Sequence, residues 1–175
     1  MRMLLASYPR SRRIPMRKVI PFNELMDWAR AQKDKNKHVV ATNGCFDILH
    51  TGHIRYLRAA RALGDRLIVG LNSDASVKTL KGPTRPIHSE ADRAEILASL
   101  EMVDAVTIFP DMRATAFLKE VSPDIYVKGG DYKQSDLDQD EVAAVRSCGG
   151  RIEILPLVPG KSTTNLVNKM KLLSP

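Results

Sequence analysis

The sequence predicts one doubly wound α/β domain, a parallel sheet of about five strands covered by helices on both faces. Three observations carry that expectation. Short apolar runs alternate with amphipathic stretches from about residue 38 onward, the pattern of right-handed βαβ crossovers. The run at 66–71 is near-continuously apolar rather than alternating, as strands buried on both faces are. Finally, Gly, Lys, His, Asp, Ser and Thr collect at 42–53, 72–85, 128–132 and 156–164, just beyond strand ends, where open α/β sheets bind ligands.

Length and charge set the frame. With 175 residues, 43% of them hydrophobic, the chain can bury one substantial core. No apolar run approaches the ~18 residues of a membrane span. Cys45 and Cys148 lie far apart without a CxxC spacing, which fits a reducing compartment, so a cytoplasmic protein is expected. The net charge of +7 is local: residues 1–18 hold six of the 27 basic residues and none of the 20 acidic ones. The remainder is nearly balanced. Residues 1–17 therefore read as a basic, disordered leader, or as sequence ahead of a functional start at Met16, before a single domain over 18–175. A nucleic-acid arm or a transit peptide is the alternative for such an Arg-rich stretch.

Taken in order, Phe22, Leu25, Met26 and Ala29 recur at helical spacing, so 22–33 is an amphipathic helix. The charged run 33–37 is a solvated connection. Residues 38–42 form a strand and 52–63 a helix, with Gly64 as its stop signal. A strand follows at 66–71, then a short, partly helical stretch at 73–80. Lys81-Gly82-Pro83-Thr84-Arg85-Pro86 has too much Gly and Pro for regular structure and reads as a loop. Ser89 with Asp92 three positions on marks an N-cap, opening a helix to about residue 100. Strands at 105–109, 125–128 and 151–155 alternate with helices at 113–121 and 138–148, the latter ended by Gly149-Gly150. Residues 163–173 form a closing helix.

The chemistry centres on residues 42–53, where a strand end runs through Gly44 to His50-Thr51-Gly52-His53 at the start of a helix. The two histidines, three apart, can share one face of the first turn. A helix N-terminus adds backbone N–H donors and partial positive charge, and Gly52 removes a side chain where a phosphate would approach. A zinc site would need a third and a fourth ligand, and His38, His88 and the distant cysteines offer none at a suggestive spacing. A phosphate-binding turn is the better reading of the stretch. Gly160-Lys161-Ser162 is not a P-loop, because the first glycine that motif requires would fall at Leu155. Ser162, Thr163 and Thr164 still offer hydroxyls and amides at a helix start, as an ordinary N-cap also would. Lys78, Lys81 and Arg85 stand in the Gly/Pro-containing segment, either as solvated surface or as phosphate ligands. Arg93 lies in the next helix, where a surface salt bridge is the plain alternative. Lys128-Gly129-Gly130-Asp131 ends a strand flexibly.

Together these stretches resemble a known family. Residues 42–53 with Gly160-x-Ser162-Thr163-Thr164 are similar to the HxGH nucleotidyltransferase superfamily. Thr42-Asn43-Gly44-Cys45-Phe46-Asp47, Asn72-Ser73-Asp74-Ala75-Ser76-Val77-Lys78, Lys81-Gly82-Pro83-x-Arg85-Pro86 and Val127-Lys128-Gly129-Gly130-Asp131-Tyr132 narrow the likeness to the D-glycero-β-D-manno-heptose 1-phosphate adenylyltransferases. Coverage runs from about residue 18 to the C-terminus. One departure is Leu157, where related cytidylyltransferases usually carry an arginine; it favours the heptose branch and leaves Lys128 or Lys161 to supply a cation. The family is often fused to a sugar kinase, and the expectation here is the stand-alone form.

The resemblance implies a Rossmann-like fold of the HxGH nucleotidyltransferase type. It implies AMP transfer from ATP to a heptose 1-phosphate, giving ADP-heptose and pyrophosphate for lipopolysaccharide core or other heptose-containing glycans. It also implies the site. His50, His53, Lys78, Lys81 and Arg93 would be catalytic, with the two lysines on a loop that closes over the phosphates and Arg93 binding phosphate. Thr42, Asn43, Gly44, Cys45, Phe46, Gly52, His53, Lys128, Gly129, Asp131, Ser162, Thr163 and Thr164 would bind nucleotide. Asp47, Asp74 and Arg85 would position substrate or Mg²⁺, the ion being held mainly by substrate oxygens and water rather than by a dedicated protein site. A homo-oligomer (dimer or tetramer) is implied, with no membrane or nucleic-acid partner. The competing readings are a CTP:glycerol-phosphate cytidylyltransferase, an FAD synthetase-like enzyme, and a nucleic-acid-binding protein using the basic leader.

Overall fold

A computed structural model describes residues 18–130 and 136–156. The leader, the closing helix, Asp131, Leu157, Lys161, Ser162, Thr163 and Thr164 lie outside the described residues. After a 3₁₀ turn at Phe22–Glu24, the elements alternate: α1 (Leu25–Lys33), β1 (Val39–Gly44), α2 (Thr51–Arg61), β2 (Arg66–Asn72), α3 (Asp74–Lys81), α4 (Glu90–Ala98), β3 (Ala105–Phe109), α5 (Thr115–Val121), β4 (Ile125–Gly129), α6 (Gln139–Ser147) and β5 (Arg151–Leu155).

The five strands form one parallel sheet in the order β3-β2-β1-β4-β5. This is the doubly wound α/β fold that the apolar runs predict. Strand residues alternate between two cores. Val40, Leu67, Val69 and Val127 pack with Leu57 and Ala60 of α2 and Leu97 of α4 on one face. Val39, Ala41, Ile68 and Tyr126 pack with Leu25 of α1, Phe117 and Leu118 of α5 and Val145 of α6 on the other. At the outer edge Val19 bridges to Val106 of β3, and the Lys18 ammonium reaches the carbonyls of Leu100 and Val103 at 3.1 and 2.7 Å.

The chain winds outward through β1, β2 and β3, then returns to lay β4 on the other side of β1. The switch point therefore lies between β1 and β4, and the fold places its crevice at their carboxyl ends. The β1–β4 ladder there is short, Val40↔Ile125 and Ala41↔Tyr126, whereas β1 matches β2 over six pairs. Just past its end the Tyr56 hydroxyl, from α2, donates to the Val127 carbonyl (2.9 Å) and meets Thr42 Oγ1 at 2.7 Å. A side chain thus serves polar groups that the parting strands leave unmatched.

Two local expectations change. The sequence places Lys81 in a loop, but α3 continues through it and stops at Gly82, whose φ of +99° favours glycine. Lys78 and Lys81 therefore ride the last turn of a helix. Gly64 reads as a helix stop in the sequence; α2 ends earlier, and Gly64 is needed for space. A Cβ there would sit 2.7 Å from Val40 Cγ2 and 2.9 Å from the His38 carbonyl. Ser89 does cap α4, accepting from the Asp92 N–H.

Candidate active site

The turn from β1 into α2 is built by the residues that the sequence analysis singled out. Gly44 ends the strand, and a Cβ on it would lie 3.0 Å from the Phe46 ring. Phe46 has φ +44°, a left-handed conformation unusual for a bulky residue and held by its surroundings. Its buried ring lies 5.4 Å from the His53 ring, centroid to centroid.

The two histidines close the helix end as a capping box made of imidazoles. His50 is the N-cap, and its Nδ1 accepts from the Gly52 N–H at 3.1 Å. His53, at the third helical position, accepts the His50 N–H on its own Nδ1 at 3.3 Å. In the usual capping box a Ser or Thr and a Glu do this work. With imidazoles, each Nδ1 is taken as an acceptor, so the tautomer of each ring is assigned by its hydrogen bonds and Nε2 carries the hydrogen. The rings stack at 3.9 Å. The motif therefore folds the helix start and aims a donor at the same time.

Burial, then the neighbouring His50 and Lys81, push the His53 pKa down to about 4. The ring stays neutral at physiological pH. Because the folded value lies below the ordinary 6.5, the unfolded chain binds the extra proton between about pH 6.5 and 4. Stability from this group is complete above that window and falls as pH drops through it. The His53 ring resonance in an NMR pH titration is expected to stay flat from pH 8 down to about 5.5; an inflection near 6.5 would contradict the burial argument.

Lys81, exposed on α3, acts electrostatically on both His53 and Cys45. Lys78 is also exposed on that last turn. The Cys45 thiol is nevertheless pushed up, burial outweighing Lys81 and Arg93, so it is not a poised thiolate.

Five of the expected polar site residues, Asp47, Arg85, Arg93, Asp74 and Thr42, make bonds or ion pairs within the protein. Asp47 is buried; its Oδ1 accepts from the N–H groups of Ile87 (2.6 Å) and His88 (3.3 Å). Its Oδ2 lies 3.0 Å from the Arg85 guanidinium, a charge contact without hydrogen-bond alignment. Asp47 thus ties the segment after α3 to the histidine turn. Arg93 is fully buried and donates to the carbonyls of His88, Cys45 and Asn72 and to Asp74 Oδ1. The expected phosphate ligand is placed as a clamp beneath the site, and Asp74 as its counter-ion. Thr42 likewise points inward to Tyr56. Gly129 lies against that same ring, which would be 2.9 Å from a Cβ. Among the described residues no three His, Cys, Asp or Glu side chains gather to hold a metal ion.

The far wall of the crevice holds a group that sequence reasoning saw only in part. Asn43 and Lys128 stand next to last in β1 and β4, and Tyr126 and Glu141 join them. Lys128 Nζ reaches Glu141 Oε2 at 2.8 Å and Asn43 Oδ1 at 3.2 Å. The Tyr126 hydroxyl lies 2.6 Å from Asn43 Oδ1 and 2.9 Å from Glu141 Oε2. A tyrosine in an apolar strand and a glutamate in an amphipathic helix resemble core and surface. The one available hint was Tyr126 and Lys128, two apart on one strand face.

Comparison with known proteins agrees with the geometry. The family model described as cytidylyltransferase-like matches residues 41–168. The bifunctional protein HldE of Geotalea uraniireducens (strain Rf4) is 50% identical over 142 residues, 81% of this chain and 29% of that protein. The bifunctional protein HldE of a Nitratiruptor species is 46% identical over 169 residues, 95% of this chain and 35% of that protein. The chain thus spans only about a third of the length of these relatives. Among solved structures, the lipopolysaccharide core biosynthesis protein from Thermoplasma volcanium GSS1 superposes with a TM-score of 0.57 at 29% identity, covering 70% of this chain and 97% of that one. Pantoate-beta-alanine ligase from Francisella tularensis shares the fold at 13% identity, with a TM-score of 0.53 over 88% of this chain and 77% of that one. With an imidazole-capped helix at the switch point of a parallel sheet, and a family model matched over most of its length, the chain belongs to the cytidylyltransferase-like family.

Proposed function

We propose that the protein transfers the AMP moiety of ATP to D-glycero-β-D-manno-heptose 1-phosphate, giving ADP-heptose and pyrophosphate. The observation that carries the reading is the imidazole capping box at the carboxyl end of β1, with a neutral His53 that feels the charge of Lys81. The acceptor's phosphate oxygen is already anionic near neutral pH. It attacks the α-phosphorus, the bond to the bridging oxygen breaks, and pyrophosphate leaves with the electron pair. No general base is required. The barrier comes from bringing anions together and from charge on the departing group, so positioning and electrostatic stabilisation dominate.

In this reading His53 Nε2–H donates to the α-phosphoryl group, and His50 and the N–H groups at the start of α2 face the triphosphate. Lys78 and Lys81 supply positive charge from α3. Asn43, Lys128 and Asp131 line the nucleotide pocket, and Ser162, Thr163 and Thr164 grip the β- and γ-phosphates. Asp47 and Asp74 are both paired with arginines. In this reading Mg²⁺ enters with ATP, held mainly by substrate oxygens and water. The heptose acceptor rests on the sequence likeness of 42–47, 72–78, 81–86 and 127–132, and on the HldE and lipopolysaccharide-core relatives. No helix among the described residues is long and apolar enough to cross a membrane.

Pyrophosphate release decides the reading. ATP and CTP are each assayed with heptose 1-phosphate, glycerol 3-phosphate and flavin mononucleotide as acceptors. Release is expected with ATP and heptose 1-phosphate. Release only with CTP would overturn the adenylyl assignment, and release with glycerol 3-phosphate or flavin mononucleotide instead would overturn the acceptor.

A further inference from the structure

The wall formed by Asn43, Tyr126, Lys128 and Glu141 has a polarity that its hydrogen bonds dictate. Lys128 can only donate, so the Asn43 atom it meets at 3.2 Å must be the carboxamide oxygen. The Tyr126 hydroxyl lies 2.6 Å from that same oxygen. The Asn43 orientation is therefore fixed, with Oδ1 turned to the group, and among the described residues no acceptor takes its Nδ2–H₂.

Glu141 holds the arrangement together. Its side chain is almost fully buried, yet both carboxylate oxygens are matched: Oε1 accepts from the Ala114 N–H at 2.9 Å, and Oε2 faces Lys128 and Tyr126. Burial, which alone would raise its pKa, is outweighed by the Lys128 charge and by hydrogen bonds from Lys128, Ala114 and Tyr126, and the net shift is downward. Burial and the Glu141 charge push the Tyr126 phenol well up, so that group remains a donor. A buried carboxylate is tolerated only with such matching. Its position is also informative, because the group straddles the carboxyl ends of β1 and β4, the two strands that part at the switch point.

We propose that Glu141 is a positioning residue: through Lys128 and Tyr126 it locks Asn43 with its oxygen inward, leaving N–H donors at the crevice for an acceptor atom of the nucleotide. The role rests on the nucleotidyltransferase reading above. Glu141 touches no substrate. It sets the direction in which Asn43 and Lys128 can bind one, and a wall so arranged presents donors only, excluding a ligand edge that itself donates.

The test is calorimetric titration of the full chain with α,β-methylene-ATP, alongside thermal unfolding. Wild-type protein must bind the analogue, and failure there would count against the nucleotidyltransferase reading rather than this proposal. In Glu141→Gln, affinity is expected to fall about tenfold. In an Asn43→Ala background the same substitution should change affinity by less than about twofold, because the positioned group is gone. Equal weakening in both backgrounds would reveal a general structural role and overturn the proposal. So would unchanged affinity in a folded Glu141→Gln. Should that variant fail to fold, Tyr126→Phe decides: it keeps the ring, removes the hydroxyl that links Glu141 to Asn43, and must weaken binding at least about threefold.

Discussion

Replacing His53 with alanine is expected to lower kcat by about 10²–10³-fold, with KM for ATP changing less than about threefold. The expectation follows from what holds the ring. Its Nδ1 accepts from the His50 N–H, its face packs near Phe46, and burial keeps it neutral. Nε2–H is thus a donor fixed before substrate arrives. A fixed dipole contributes most where charge develops, and little to a ground state that already has other phosphate contacts. The structural cost is smaller. Alanine removes half of the capping box, worth about 1 kcal/mol, and the N–H of the half-buried His50 can turn to water. Steady-state kinetics with a thermal melt separates the two effects. An unchanged kcat in a folded His53→Ala protein would remove the transition-state role, and a raised KM at constant kcat would make the ring a binding contact only.

The fold was legible because its strands are nearly all apolar. Runs such as Leu67, Ile68, Val69 and Leu71 must be buried on both faces, and a sequence of such strands separated by amphipathic helices admits few topologies. The histidine turn was legible for a different reason: two imidazoles around a glycine at a helix start leave little else to be. What stayed hidden was direction. Thr42, Arg93 and Asp47 are polar residues beside a site, and sequence spacing does not say whether such a group faces the ligand or the scaffold. All three face the scaffold. The converse holds for Glu141, a charged residue of an amphipathic helix that is buried in the crevice wall. Long-range pairing decides these cases, and Arg93 reaches Cys45, 48 positions away, while Lys128 reaches Asn43 from 85. Lys81 was misplaced by a single residue, since the helix ends at the glycine after it.

Arg93 supplies the second large effect, because one guanidinium joins four segments: the histidine turn at Cys45, the end of β2 at Asn72, the start of α3 at Asp74 and the approach to α4 at His88. Arg93→Met keeps the apolar stem and strands three carbonyls at a buried point. Removing one side of a buried charged hydrogen-bonding set costs about 3–5 kcal/mol. The share due to Asp74 is smaller, because that carboxylate is 42% exposed and water can replace the arginine. For a domain of this size the loss corresponds to a drop in Tm of about 10 °C. Arg93→Lys is expected to recover less than half, since an ammonium cannot span the four oxygens that a planar fork reaches. Activity measured well below the new midpoint should fall too, because the turn carrying His53 and the helix carrying Lys81 lose their common anchor. The two roles open to this residue then separate cleanly. An arginine that binds phosphate directly would lose ATP affinity on substitution with Tm nearly unchanged; a clamp loses stability first, and a Tm drop of less than about 3 °C would exclude it.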